Sequence, residues 1–370
     1  MINRTQNRVH RRHAKEYIHS ALDQRVKQQR DEVHGDRGVP DLSISIINWN
    51  THELLAGCLQ TIEQNKDGLK VEVIVVDNAS KDGSQEMVQK RFPHVILLEN
   101  EENLGFARAN NQAIEASHGR YIMLLNSDTL LQPGSPQAMV SFMDSHPDVG
   151  IVGAELLHRD GSLQRSWAKF PSIFSEVLGA NFRSRKRYTT KKAPLAYEVD
   201  WVGGACLLIR RTTMEQVGPL DERFFMYSEE LDWCYRTRQL GWLVCYLPGA
   251  TVVHLGGQSS RLASRRMKAE LYKSKLLFFC KHYGRQRALL LTVFLQLMFY
   301  ARGVLSMALA IPGISWVSKG GNLFWDYRKL AGILRKTLRE QELCNENRYR
   351  RTLFNPSTKG GVQNLHHKSR

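Results

Sequence analysis

The runs LSISIINW, residues 42–49, and VEVIVVD, residues 71–77, decide the fold. Both are short and rich in β-branched residues, as strands buried in a parallel sheet are. Between them, residues 53–64 bring Leu54, Leu55, Cys58, Leu59 and Ile62 to one side of a helix. The beat continues outward with a helix after Asp82-Gly83-Ser84, a strand over 95–98, a helix over 106–117 and a strand over 121–126. This alternation predicts a Rossmann-type α/β fold, a mainly parallel sheet flanked by helices. Ligands meet such sheets at the carboxyl ends of the strands. That rule singles out Asn48–Asn50, Asp77–Ser80 and Asn126–Thr129.

The second half is less regular. Residues 184–192 read as a basic, polar loop, a candidate mobile segment. VGGACLLIRR, residues 202–211, reads as a strand entered through Gly203 and Gly204. Residues 229–239 read as a helix with Ser228 as N-cap. Two short strands follow over 243–247 and 251–254, then an amphipathic helix over 261–282. Residues 288–311 are strongly apolar but interrupted by Gln296 and Arg302 and ended by Pro312-Gly313. Length alone permits a span of about 20 residues, and the internal Arg opposes it. With Arg285, Arg287 and a basic helix over 327–339 flanking it, the stretch is expected first to lie in or dip into a membrane. Spanning is the second reading and a buried docking helix the third.

The chain has 370 residues and a net charge of +16. The excess sits largely at the ends: nine Lys/Arg against five Asp/Glu in 1–40, and twelve against four in 317–370. Basic flanks around a central unit fit an anionic surface better than a nucleic-acid fold with one basic face. The expected organisation is a basic, disordered extension over 1–40 and a catalytic α/β domain over 41–283. A helical membrane-associating region follows over 284–340, then a basic tail over 341–370. The six cysteines show no CxxC pair or metal-ligand spacing, and the first residues carry no secretory apolar core. Reduced thiols and a cytoplasmic setting, peripheral to or inserted in the inner face of the cell membrane, are the expectation.

Several segments carry chemistry. Asp77, at the end of a buried strand and before the turn Asn78-Ala79-Ser80, suits a base or ribose, or simply caps its turn. ENEENLGFARANNQAI, residues 99–114, sets Asn103, Gly105 and Asn111 around a helix start, as nucleotide-side amides or as ordinary caps. YIMLLNSDTL, residues 121–130, delivers Asp128 at a strand tip, a fitting oxygen ligand for Mn²⁺ or Mg²⁺. His254 ends another strand and completes such a site only if the fold brings it near. FFMYSEELDW, residues 224–233, crowds Glu229, Glu230 and Asp232 into a first helical turn, where the dipole favours anions and a general base can reside. The apolar residues before them argue that the turn is enclosed.

In this order and spacing, the segments resemble the family 2 inverting glycosyltransferases of the GT-A fold, nearest the rhamnosyltransferase-like branch, over residues 42–283. The resemblance implies that Asn48, Asn50 and Glu53 line the nucleotide pocket with Asp77, Asn78, Asn103, Gly105 and Asn111. It implies that Trp201, Gly203 and Gly204 form the donor-sugar and acceptor loop. NSD, residues 126–128, stands at the family's D-x-D-like metal motif with only Asp128 acidic, so His254 is its expected helper. Glu230 stands where the family has its Asp base, with Glu229 and Asp232 as alternatives. The implied donor is a dTDP- or UDP-linked sugar, rhamnose or a related hexose, and the acceptor a glycan or lipid-linked hydroxyl in cell-surface polysaccharide synthesis. The implied cofactor is a divalent cation.

Competing classes lack their marks. No G-x-G-x-x-G follows the first strand, where residues 47–54 (INWNTHEL) hold no glycine, and no Walker A loop is present. The basic ends show no zinc-finger or basic-zipper pattern, so no nucleic-acid partner is expected. A catalytically weak, nucleotide-sugar-binding relative, or a basic nucleic-acid-binding protein supported by the charge alone, remains the alternative to an active transferase.

Overall fold

The computed structural model describes residues 38–66, 68–178, 186–188, 196–256, 264–308 and 332. The first half follows the strand–helix beat: β1 (Leu42–Asn48), α1 (His52–Gln64), β2 (Val71–Asp77), α2 (Ser84–Arg91), β3 (Ile96–Glu99), α3 (Phe106–Ala116) and β4 (Tyr121–Asn126). After β4 come β5 (Thr129–Leu131), α4 (Ser135–Ser145), β6 (Val149–Leu157), β7 (Leu163–Gln164), β8 (Trp167–Ala168) and α5 (Ile173–Leu178). Then follow β9 (Lys186–Tyr188), β10 (Ala196–Glu198), β11 (Trp201–Val202), β12 (Cys206–Arg210), α6 (Arg211–Val217), α7 (Glu229–Gln239) and β13 (Leu243–His254). The last described helices are α8 (Ser264–Tyr283) and α9 (Arg285–Ala308).

The main sheet runs β3-β2-β1-β4-β12-β6-β13-β10-β9. Strands β3, β2, β1 and β4 pair in parallel, as do β6 and β13. β12 is antiparallel to both β4 and β6, so β6 and β13 point the same way as the first four. The fold is therefore the expected mainly parallel α/β sheet. Side chains such as Leu42, Ile44, Ile46, Val73, Val75, Met123 and Leu125 line one face under Leu55 and Leu59 of α1. Trp233 and Cys234 of α7 join Ile122, Leu124 and Leu207 in a second cluster.

The direction of β12 positions the site. Because it runs backwards, its amino-terminal end lies beside the carboxyl end of β4, with Cys206 opposite Leu125 and Asn126 N–H donating to Ala205 O at 3.0 Å. Gly203-Gly204 thus reaches the same edge as Asn48, Asp77 and Asp128.

Several expectations are corrected. Residues 202–211 are not one strand: Trp201–Val202 pairs with β8 in a separate ribbon, and the main-sheet strand begins at Cys206. The two strands of 243–254 are one, because an irregularity between Leu247 and Thr251 absorbs Pro248-Gly249 while both ends stay on β6. Within 184–192, Lys186–Tyr188 is a strand on β10, and the rest lies outside the described residues. The helix expected over 261–282 is described as Ser264–Tyr283. Among the described residues no helix is long and apolar enough to cross a membrane, so the spanning reading of 288–311 finds no support over Ala288–Ala308. Residues 309–311, the tail over 341–370 and the extension before residue 38 lie outside the described residues, as does 327–339 apart from residue 332. Cys58, Cys206, Cys234 and Cys245 are free and buried, as expected of reduced thiols.

The chain divides into two compact units, residues 1–275 and 276–370.

Candidate active site

At the β1 and β2 ends, polar side chains bind one another tightly. Asn48 Nδ2 donates to Asp77 Oδ2 at 2.8 Å and to Ser80 Oγ at 3.1 Å. Asp77 Oδ1 accepts from Ser80 N–H and Gln85 Nε2, both at 2.8 Å. Asn50 sits in the left-handed region (φ 52°), receives Lys81 N–H at its Oδ1 at 2.8 Å and donates its N–H to Ser80 Oγ at 2.9 Å. Asp77 is thus the organiser of the turn that follows it, with one donor on Oδ2 where two can fit. Thr51 bonds to Asn48 Oδ1 and to Ser127 Oγ, the latter at 2.9 Å, joining this network to the 126–128 turn. Glu53 stands apart: its side chain is 88% exposed and pairs with His52.

Asn78 ties β2 to the 103–105 loop, donating to Gly105 O at 3.3 Å and accepting from Asn100 Nδ2 at 2.9 Å. Asn103 Oδ1 accepts from Gly105 N–H at 3.0 Å. Gly105 is required: its φ is +86°, and an added Cβ would lie 2.5 Å from Phe225 O. That close approach lets Phe106 N–H, at the free start of α3, donate to Phe225 O at 2.7 Å. Asn111 does not join the nucleotide-side amides. Its Nδ2 donates to Leu220 O at 2.9 Å and its Oδ1 accepts from Leu220 N–H at 3.0 Å, so it clamps the approach to α7.

Asp128 and His254 are brought together by the β5–β13 ladder, in which His254 pairs with Thr129. His254 Nε2 lies 3.3 Å from Asp128 Oδ1 and 3.4 Å from Asn126 Nδ2. His254 Nδ1 contacts Gln164 Oε1 at 3.0 Å. An amide oxygen accepts, so this contact puts an imidazole proton on Nδ1 and turns Nε2 toward the carboxylate. Imidazole with carboxylate is a donor set suited to Mn²⁺. Asp128 is buried rather than solvated, and its carbonyl accepts from Leu255 N–H at 2.9 Å. Among the described residues no group of three or more His, Cys, Asp or Glu side chains converges. This pair fits a cation whose remaining ligands come from diphosphate and water.

The acidic turn is enclosed, as the apolar residues before it imply. Phe224 is fully buried, and Glu229 is 4% exposed. Tyr227 (φ 70°) and Ser228 (φ 67°) are consecutive left-handed residues, which cost about 1–3 kcal/mol each outside glycine. Ser228 takes the expected N-cap position, but in this left-handed geometry its side chain makes no capping bond. Phe106 N–H on Phe225 O, and Ser274 Oγ donating to Met226 O at 2.8 Å, hold the segment in place.

Burial, more than the helix dipole, sets the state of these carboxyls. Burial pushes both Glu229 and Glu230 above the ordinary carboxylate range, Glu229 furthest because the Glu230 charge adds to its burial. Backbone N–H groups of Leu231, Gly204 and Ser228 pull Glu230 back in part. Each retains one buried, unpartnered oxygen, Oε2. Glu230 therefore ionises before Glu229. Gly204 lies against it, with room for a Cβ only 3.5 Å from Glu230 Cγ. Gly203 N–H is fixed on Ser166 O at 2.7 Å, and Trp201 Nε1 on Lys169 O at 3.0 Å. Asp232 is removed as an alternative base. It is fully buried and bound to Arg236 Nε at 2.8 Å, and Arg236 also ties down Val217 O and Pro219 O.

Gln164 and the Thr51–Ser127 hydroxyl link were missed by sequence reasoning. Gln164 sits on a two-residue strand with no motif around it, and its partner is 90 residues away.

A parallel sheet with polar loops at its carboxyl edge, a reversed strand delivering a glycine pair there and an acidic helix start against that pair define a GT-A glycosyltransferase. The Glycosyl transferase family 2 model matches residues 43–218. An N-acetylglucosaminyl-diphospho-decaprenol L-rhamnosyltransferase of Mycobacterium tuberculosis is 33% identical over 239 residues, 59% of this chain and 78% of that protein. A low-salt glycan biosynthesis hexosyltransferase of Haloferax volcanii is 27% identical over 204 residues, 54% of this chain and 62% of that protein. The crystal structure of GalNAc-T7 with UDP, GalNAc and Mn²⁺ shares the fold, with a TM-score of 0.51 and 14% identity over 79% of this chain and 55% of that one. The chain belongs to glycosyl transferase family 2.

Proposed function

We propose that the enzyme transfers a sugar, with inversion, from a dTDP- or UDP-linked donor to a hydroxyl of a lipid-linked or glycan acceptor. The reading places this reaction in cell-surface polysaccharide synthesis at the inner face of the membrane, with rhamnose or a related hexose as the sugar. The similar Mycobacterium tuberculosis protein, named for a decaprenol-linked acceptor and L-rhamnose, supports that choice of substrates. The observation that carries the chemistry is Glu230: a carboxylate with a buried, unpartnered oxygen, set against Gly204.

A sugar hydroxyl is a poor nucleophile at neutral pH. Glu230 takes its proton as the hydroxyl oxygen attacks the anomeric carbon. The anomeric carbon–oxygen bond to the diphosphate breaks on the opposite face, and its electron pair leaves with the diphosphate. A raised carboxylate pKa helps here, because a base is most effective when its pKa approaches the working pH. Asp128 and His254 would hold the divalent cation, which supplies positive charge to offset that developing on the leaving diphosphate. Gln164 fixes the His254 ring so that Nε2 faces Asp128. Asn48, Asp77 and Ser80 form a rigid floor for the nucleoside, and the Gly203-Gly204 backbone admits the sugar beside Glu230.

Thermal melts with dTDP, UDP, GDP, ADP and NAD, each with Mn²⁺, Mg²⁺ or EDTA, test the reading. A ligand that binds only the folded state raises the melting temperature. Stabilisation by a pyrimidine diphosphate that EDTA abolishes is the expected result. No response to any diphosphate would contradict it.

A further inference from the structure

Helix α9 has two apolar sides with opposite fates. Ala288, Leu291 and Leu295 are buried. Leu289, Leu290, Val293, Phe294, Leu297 and Tyr300 recur at helical spacing and are 37–60% exposed. Scattered exposed apolar residues are ordinary, but six in one stripe of a single helix are a docking surface. Arg285 and Arg287 stand exposed at the start of the same helix, and Arg285–Ala308 contains no acidic residue.

We propose that this stripe is the membrane-docking surface of the enzyme, with its apolar side chains in the acyl boundary of an anionic bilayer and Arg285 and Arg287 among the headgroup phosphates. The proposal deepens the reading of a lipid-linked acceptor and rests on it for its purpose. Charge decides the occupant. A second copy would bring another chain of net charge +16 against this one, whereas an anionic bilayer offers apolar interior and negative surface together.

Flotation of the full chain with phosphatidylglycerol–phosphatidylcholine vesicles tests this, beside vesicles of phosphatidylcholine alone. The wild type is expected to float with the anionic vesicles, and the paired substitution Leu290→Asp with Phe294→Asp to abolish flotation. Arg285→Gln with Arg287→Gln should weaken binding roughly thirtyfold, from the usual contribution of a basic residue near an anionic surface. All these positions are exposed, and the melting response to nucleotide should be unchanged in each variant. Wild-type flotation by the Asp variant would overturn the proposal. So would a wild type that ignores vesicles but self-associates through this face, shown by an Asp variant that sediments as the smaller species. Loss of the nucleotide response in the wild type, with flotation intact, would instead overturn the transferase reading and leave the docking surface standing.

Discussion

His254 Nε2 stands 3.3 Å from Asp128 Oδ1 although 126 residues separate them, because β13 folds back onto β5 at the edge of the sheet. Gln164 holds the ring so that Nε2 faces the carboxylate. Replacing Asp128 by Ala should remove the metal-dependent part of nucleotide binding while leaving the fold. Calorimetry of UDP or dTDP binding with and without Mn²⁺ would show it, and full metal dependence in the variant would refute the assignment. Gln164→Leu should weaken Mn²⁺ binding about 10–100-fold, the usual effect of losing an outer partner of a metal-bound histidine.

Glu229 gives a prediction about stability and pH. Its folded pKa lies above its unfolded one, so folding favours the protonated form. That contribution is fully present below the unfolded pKa, about 4.3, and is lost as pH rises through the folded value. Glu229→Gln keeps the neutral shape. Its melting temperature relative to wild type should therefore rise between pH 5 and pH 8, and a constant difference across that range would contradict the burial argument.

Asp232 and Arg236 form a buried pair, and breaking such a pair costs about 3–5 kcal/mol. Asp232→Ala should lower denaturant stability by an amount of that order, whereas the pH dependence of transfer in the surviving folded fraction should be unchanged. A shifted pH profile would return Asp232 to the chemistry.

Gly105→Ala should be severe for a different reason. The added Cβ would lie 2.5 Å from Phe225 O, at a φ of +86°. Strain should lower stability by about 1–3 kcal/mol and loosen the Phe106–Phe225 bond that braces the Glu230 turn. Urea unfolding checks the first effect, and kcat the second.

The parallel strands were legible because β1, β2 and β4 are continuous apolar runs between turn residues. β6 was not: Gly150 and Gly153 interrupt its pattern, and Gly153 is demanded by Val202, whose Cβ would lie 2.5 Å from a side chain there. The reversed direction of β12 carried no local signal, since an antiparallel insertion is decided by tertiary pairing. In the site, the residues were legible but several states were not. The dipole argument considered only the helix start, and burial raises both Glu229 and Glu230 against it. Asp232 looked like its neighbours until Arg236, one turn on, claimed it. Asn111 looked like a ligand amide until Leu220 accounted for both ends of it.

Glu230 carries the account, and transfer by Glu230→Gln measured beside its nucleotide affinity tests it most directly. Removing a general base costs about 10²–10⁴ in rate, so turnover should fall by that factor while metal-dependent nucleotide binding stays at wild-type strength. Transfer at near the wild-type rate would contradict the assignment of Glu230 as the base.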